Sequence, residues 1–454
     1  MKRTITAAAC LLLAGCAGTA ATARTPAPEA RSLSPELAAA TFDSTWSAVN
    51  RTFWDTTFNG VNWNAVRDTL RPRALAARSN PELRVVLSDM LHTLGQSHFG
   101  IIPGGEDAAL AAGGPRAEGA PGEAGMEVRW DGARFLVTRV EPGGAADAAG
   151  IRTGYAIRSA GEIDAAHVAT VVPRLPGGTD PHRAAFYAWG AMNGVLSGLA
   201  GDTLRVRGED GAGRAVDAVL TLRPIAGQLA RFGNLPPMAV RVEQDTLRSD
   251  GATVGVIRFN IWLPAAIGAL DRAVNDLRGS DGIVIDLRGN VGGVGAMAPG
   301  WAGHFINRRD TLGAMITRRD TLQFVINPRL VNPAGERVQP YAGPVAVLTD
   351  EITGSTSEIF AGGLQALGRV RVFGATSAGQ ALPAAMPRLP NGDVLLHAIA
   401  DMKGPGGVRW EARGVVPDAP APVTRAALLA GGDPALDAAV AWIAEQNRSR
   451  ARTR

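Results

Sequence analysis

At 454 residues, with 46% hydrophobic and 19% charged side chains, the chain has room for two or three domains with sizeable cores, and its composition excludes a disordered polymer. The formal net charge is only +4, and the arginines are scattered rather than gathered with aromatic residues, which argues against a nucleic-acid partner. Lysine is nearly absent: Lys2 and Lys403 are the only two.

The chain opens MKRTITAAACLLLAGC, a basic start followed by an apolar stretch too short to span a bilayer, and residues 1–16 read as a signal peptide. Its end, Leu13-Ala14-Gly15-Cys16, resembles the lipobox of bacterial lipoproteins, in which the cysteine is lipidated and becomes the mature N-terminus. An ordinary signal peptide is the alternative. Cleavage at that point leaves Cys16 as the only cysteine and no internal disulfide. Acyl chains on Cys16 would hold the protein to a membrane, each buried methylene adding about 0.8 kcal/mol. This resemblance implies a lipid-anchored protein of the bacterial cell envelope, facing the periplasm from the outer membrane. Residues 17–32, rich in Ala, Thr and Pro, read as a flexible tether.

Residues 33–103 carry apolar positions at helical spacing, as in Phe42, Trp46, Val49 and Phe53, and predict a small helical domain. A helix over 81–94 is stopped by Gly95, and Gln96-Ser97-His98-Phe99 follows on a loop. A histidine there can simply complement a helix C-terminus. Residues 104–122 read as a Gly/Ala/Pro-rich linker. Residues 123–225 then turn to short strands with glycine turns: MEVRW, ARFLVTRVEP, AIRSAGE, DTLRVRGE and AVLTLRP. Between them, PGGAADAAGIRTG at 142–154 resembles a PDZ domain of the bacterial protease type, with Tyr155 where an Asp is usual and a helical insertion over 181–199. That resemblance implies an extended C-terminal peptide adding to a sheet edge, its carboxylate near Gly125 and Met126. A β domain that binds nothing is the alternative.

Residues 226–425 show an α/β pattern: strand TVGVIRFNI, a helix over 264–277, and strand GIVIDL leading into the glycine-rich RGNVGGVG at 288–295. That loop lacks the Lys-Ser/Thr of a P-loop and the spacing of a dinucleotide fingerprint. Its glycines would let backbone amides approach a reacting carbonyl. A second βαβ unit spans 343–379. At its strand-to-helix corner stands Gly354-Ser355-Thr356-Ser357-Glu358, where unpaired helix amides surround a hydroxyl. Ser-x-x-Glu is also a capping box, with Glu358 reaching back. Residues 426–454 form a C-terminal amphipathic helix and tail, read as packing.

A nucleophilic serine needs a base, commonly His or Lys. After removal of the leader, Lys403 is the only lysine. Of six histidines, His92 lies in a helix, His167 and His182 in the β domain, and His304 and His397 in apolar runs of the core; His98 lies on a loop beside Ser97. Spacing does not choose among them.

DLRGNVGG at 286–293, TGSTSEIFAGGLQ at 353–365 and EARGVVPD at 411–418, with LGQSHF at 94–99 and the PDZ-like insert, resemble the C-terminal-processing and tricorn-core family of serine proteases. The resemblance spans nearly the whole mature chain. It implies an α/β multidomain protein: an N-terminal helical domain, a PDZ-like β domain and an α/β core of the ClpP/crotonase-like kind. It also implies Ser355 as nucleophile. The lysine used by the C-terminal-processing branch would align with Gln380, which cannot take a proton; the tricorn branch's Ser-His pair and Glu match Ser97, His98 and Glu411. His98 would be the general base, Glu411 would act on it through Ser97, and amides of Gly292 or Gly293 and of Thr356 would form the oxyanion hole. Asp286 and Arg288 read as a structural pair.

The expected function is therefore a serine endopeptidase acting on unfolded or C-terminal segments of proteins, with no metal and no cofactor. A protease-like protein that binds peptides or apolar ligands without turnover, motivated by Gln380 and Tyr155, is the runner-up. A lipid-anchored adaptor is a third reading. Oligomeric state and substrate identity do not follow from the sequence.

Overall fold

The computed structural model describes residues 33–104, 120–175, 177–235 and 237–452. The expected leader, Cys16, the tether and most of the expected linker lie outside these residues. Among the described residues no helix is long and apolar enough to cross a membrane. The chain divides into two compact units. One holds the residues up to Ile225 together with Gly233–Pro236 and Ala384–Ala400; the other holds Ala226–Phe232, Pro237–Pro383 and Asp401–Arg454.

In the first unit, helices Pro35–Thr52, Trp63–Leu75 and Asn80–His92 begin at side-chain caps, where Ser34, Asn62 and Ser79 accept from amides of the first turn. Prolines in the first turns of two of them cost nothing, because those amides have no helical partner. Phe42, Val49, Leu83, Leu87 and Met90 are fully buried, and each such side chain contributes about 1.5–3 kcal/mol. The third helix ends through Gly95 at φ +65°.

Strand Gly100–Ile102 then pairs antiparallel with Val394–Ala398. This corrects the expected core of 226–425, which loses residues 384–400 to the helical unit. The physical reason is that pairing, together with a two-pronged Arg84–Asp393 ion pair whose carboxylate side chain is completely enclosed. The expected linker is corrected at its end: Pro121–Glu123 is a strand between Ser197–Leu199 and Arg223–Pro224.

The β region of this unit forms its own sheet. Its order is Met126–Trp130, Phe135–Val140, Ala156–Ala160, Thr203–Glu209 and Ala215–Thr221, with Ile163–Asp164 pairing beside the third. The expected helical insertion is the helix Pro181–Val195.

The second unit is built on a six-stranded sheet in the order Val242–Ser249, Ala252–Phe259, Gly282–Asp286, Val345–Thr349, Arg371–Gly374 and Ala419–Pro420. The first pair is antiparallel and the rest are parallel. Buried strands covered on both faces need apolar side chains along their length, which explains the runs GIVI and VAVL before the polar Asp286 and Thr349 at the strand ends. On one face, Ile283, Ile285, Val345 and Val347 join Trp262, Trp301 and Phe360. On the other, Val284, Ala346 and Leu348 pack against Ala435, Ala439 and Ile443 of the C-terminal helix Pro434–Arg452.

Candidate active site

Strands Gly282–Asp286 and Val345–Thr349 are parallel neighbours, with Asp286 opposite Leu348, so their carboxyl ends emerge side by side. Two loops start there, and parallel sheets place ligands in this position. The first is the glycine-rich 287–295; the second is the turn that leads to Ser355. The first loop is anchored by Arg288, which bridges Asp286 and Asp433. The guanidiniums of Arg288 and Arg258 hold the Asp286 carboxyl well below its usual range in spite of burial. The expected structural pair is found.

The second turn is held by Asp350, whose Oδ1 accepts from the amides of Gly289, Ile352 and Thr353. The Asn290 carbonyl accepts from the Gly354 amide and from Ser357 Oγ, and the Trp262 indole donates to Ser357 Oγ at 2.9 Å. Both loops are thus tied to the aromatic core beneath.

Ser355 stands at the first corner of helix Thr356–Ala366 with φ 53° and ψ −118°. A β-carbon disfavours positive φ, so the conformation persists only because the surroundings over-determine it. Its amide is shared between the Gln380 carbonyl at 2.8 Å and Glu358 Oε2 at 2.9 Å. The capping box is therefore present at its Glu358 arm.

Gly292 and Gly293 approach this corner from the other loop. A Cβ on Gly292 would lie 2.6 Å from Ser355 Cβ, and one on Gly293 would lie 2.3 Å from the Trp262 carbonyl oxygen, so neither position admits a side chain. The Gly292 amide is occupied, donating to Asn290 Oδ1 at 3.0 Å. The Gly293 carbonyl accepts from Thr356 Oγ1 at 2.9 Å. Among the described residues, the amides of Gly293 and Thr356 have no hydrogen-bond partner. One of these open donors belongs to the glycine-rich loop, the other to the first residue of the helix, directly after Ser355.

Glu411 lies in the same unit, on the loop that follows Trp410, and accepts from the Ala381 amide at 3.1 Å. Its loop runs beside 377–381, where the Gly379 carbonyl accepts from the Ala412 amide. Gln380 is held beside Ser355 through its own backbone. Lys403, in contrast, is an exposed residue of strand Asp401–Lys403.

Ser97 and His98 belong to the helical unit. Ser97 Oγ and His98 Nδ1 are 2.9 Å apart, and His98 has φ 59°. The residue as a whole is half-buried, and the protein packed around the ring desolvates its charged form and brings its pKa down from 6.5 to about 4. Gly125, at φ +66°, opens strand Met126–Trp130, an edge of its sheet. His304 is buried against Asp271 and His397 is buried, as core histidines.

Three residues that act on this corner went unnoticed in the sequence: Asn290, Ser377, and Glu358 beyond its cap. Ser377 Oγ donates to Glu358 Oε1 at 2.6 Å and accepts from the Val415 amide. The small-residue run ATSAG after a strand was the only local signal.

Residues 253–421 match the family described as Peptidase family S41, and residues 37–92 match the Tricorn protease C1 domain. The chain is 25% identical over 396 residues to carboxyl-terminal-processing peptidase 2, chloroplastic, of Arabidopsis thaliana, covering 84% of this chain and 68% of that one. It is 23% identical to a carboxyl-terminal-processing protease of Picosynechococcus sp., covering 82% and 80%. Among solved structures, the photosystem II D1 C-terminal processing protease aligns with a TM-score of 0.57 and 21% identity, over 84% of this chain and 92% of that one. Mature CPAF aligns with a TM-score of 0.57 and 12% identity, over 91% and 98%. These two share the fold.

Proposed function

On the premise that this chain is a serine peptidase whose core belongs to peptidase family S41, we propose that Ser355 is its nucleophile and that the Gly293 and Thr356 amides are its oxyanion hole. One observation carries the assignment: a strained serine caps a helix whose first amide, at Thr356, has no internal partner, and a glycine-rich loop packed against that corner carries a second such amide at Gly293. Ser355 Oγ attacks the scissile carbonyl carbon, and the carbonyl oxygen takes up the negative charge between the two N–H donors. Losing one such donor costs about 10²–10³-fold in rate. Gly292, with its amide given to Asn290, supports the loop and leaves the second donation to Gly293.

His98 is the proposed general base. Nδ1–H donating to Ser97 Oγ leaves the Nε2 lone pair to take the Ser355 proton and return it to the leaving amine. The lowered pKa keeps the ring neutral at physiological pH, and makes it a weaker base than an ordinary imidazole. Glu411 is proposed to act on His98 through the Ser97 hydroxyl. Gln380 has no basic atom, so the mechanism takes no lysine at that position.

The substrate is proposed to be an unfolded or C-terminal protein segment. The sheet that begins at Gly125 and Met126 is proposed as a PDZ-like element that captures an extended chain end. The leader and Cys16 support a lipid-anchored location in a bacterial envelope, on the periplasmic side. A fluorophosphonate should label the wild-type chain and fail to label Ser355→Ala. An unlabelled, folded wild type would overturn the assignment.

A further inference from the structure

Glu358 is fully buried, and among the described residues no cation pairs with it. Its carboxylate instead accepts four hydrogen bonds. Oε1 takes Ser377 Oγ–H at 2.6 Å and the Gly379 amide at 2.7 Å; Oε2 takes the Ser355 amide and the Gln380 amide, each at 2.9 Å. A helix cap needs only the Ser355 bond. The other three come from one segment, 377–380, which follows the strand Arg371–Gly374.

That segment is also a mount. Its next residue, Ala381, donates to Glu411, and Gly379 accepts from Ala412, so the position of Glu411 depends on where 377–381 lies. The Gln380 carbonyl in turn accepts from the Ser355 amide. One carboxylate is therefore bonded both to the strained nucleophile turn and to the segment that carries the second acidic residue. A buried carboxylate without a cation is costly, and its retention here needs more than a cap to explain it.

We propose that Glu358 is a positioning residue for peptide-bond hydrolysis: its carboxylate clamps the Ser355 turn to segment 377–381, and so fixes the nucleophile, the Thr356 amide and the Glu411 loop in one geometry before substrate arrives. The proposal rests on the serine-peptidase reading of Ser355. In the ionised form both carboxylate oxygens act only as acceptors, which matches the four donors that face them. An amide at the same place turns an NH₂ toward two donors, breaks one pair of bonds, and releases one end of the clamp.

The test uses the full chain with Glu358→Gln and Ser377→Ala, a fluorescently labelled unfolded protein as substrate, and amide hydrogen exchange. Glu358→Gln is expected to lower kcat by about 10²-fold with KM nearly unchanged, since a small misplacement of the reacting groups costs that much. Ser377→Ala removes one of the four donors and should give a smaller fall in the same direction. Exchange should rise at 353–358 and 377–381 in both variants while strand Gly282–Asp286 keeps its protection. Should Glu358→Gln fail to fold, Ser377→Ala alone decides. Wild-type kcat together with unchanged exchange in either folded variant would overturn the clamp. A wild type that neither cleaves nor labels would sink the nucleophile assignment instead, and the exchange measurement would still decide the clamp.

Discussion

Gly292 and Ser355 stand so close that a β-carbon on the glycine would lie 2.6 Å from that of the serine, and 3.0 Å from the Thr356 nitrogen. Gly292 also holds φ +103°, a region that L side chains rarely enter. Gly292→Ala must therefore push the glycine loop away from the helix start. We expect kcat to fall at least about 10²-fold as the two open amides separate. The overpacking should also cost about 1–3 kcal/mol of stability. Steady-state kinetics with urea unfolding check both, and an alanine variant of wild-type rate would mean that this contact is not part of the site.

The acid limb of kcat/KM should fall near pH 4 rather than near 6.5. His98 accepts a proton only when neutral, and burial lowers its pKa to about 4. The same shift makes the folded state lose stability as pH falls from 6.5 toward 4, because only the unfolded chain gains a proton on His98 in that window. An acid limb at 6.5 that persists in folded Glu358→Gln, where no carboxyl titrates near 7, would contradict this.

Glu358 predicts the opposite slope. Burial pushes its pKa up to about 7 from 4.5, against the pull of its four donors. The folded chain then holds a proton that the unfolded chain has released, so this group's contribution is full below pH 4.5 and declines as pH rises to about 7. In Glu358→Gln, the dependence of the unfolding free energy on pH between 4.5 and 7 should tilt upward relative to wild type. Parallel curves from denaturant titrations would argue that the group does not titrate in that range.

Lys403→Ala should leave kcat/KM within about twofold. The residue is exposed on strand Asp401–Lys403, and a surface substitution of this kind usually changes stability by less than about 0.5 kcal/mol. Complete loss of hydrolysis would show that a lysine, not His98, takes the proton.

Asp393→Ala should cost about 3–5 kcal/mol of stability, since it leaves Arg84 without its bidentate partner in an enclosed site. The Gly104 amide loses its acceptor as well. Urea unfolding measures the loss; a change below about 1 kcal/mol would mean that solvent reaches the guanidinium.

The Ser355 corner was legible because its signals are local. An apolar strand, a hydroxyl followed by Glu at the third position, and a helical repeat follow one another without interruption between Val345 and Ala366. The glycine-rich loop was legible as a close-approach element, but spacing left the choice between Gly292 and Gly293 open, and only the structure shows that the Asn290 side chain occupies the Gly292 amide. Glu358 was visible only as a cap, because its other partners lie some twenty residues on and carry no charge or periodicity that would mark them. The placement of 384–400 was not legible at all. Strand Val394–Ala398 pairs with Gly100–Ile102 across about two-thirds of the chain's length, and neither hydropathy nor turn residues encode such a partner.

That pairing has a consequence for how the protein is made. The helical unit is finished only when residues 384–400 arrive, so it cannot close its small sheet or seat Arg84 on Asp393 while they are still unsynthesised. On the ribosome, the helical unit that carries His98 waits for a strand from beyond Ser355. The two proposed halves of the catalytic pair therefore reach their final folds late, and at nearly the same time.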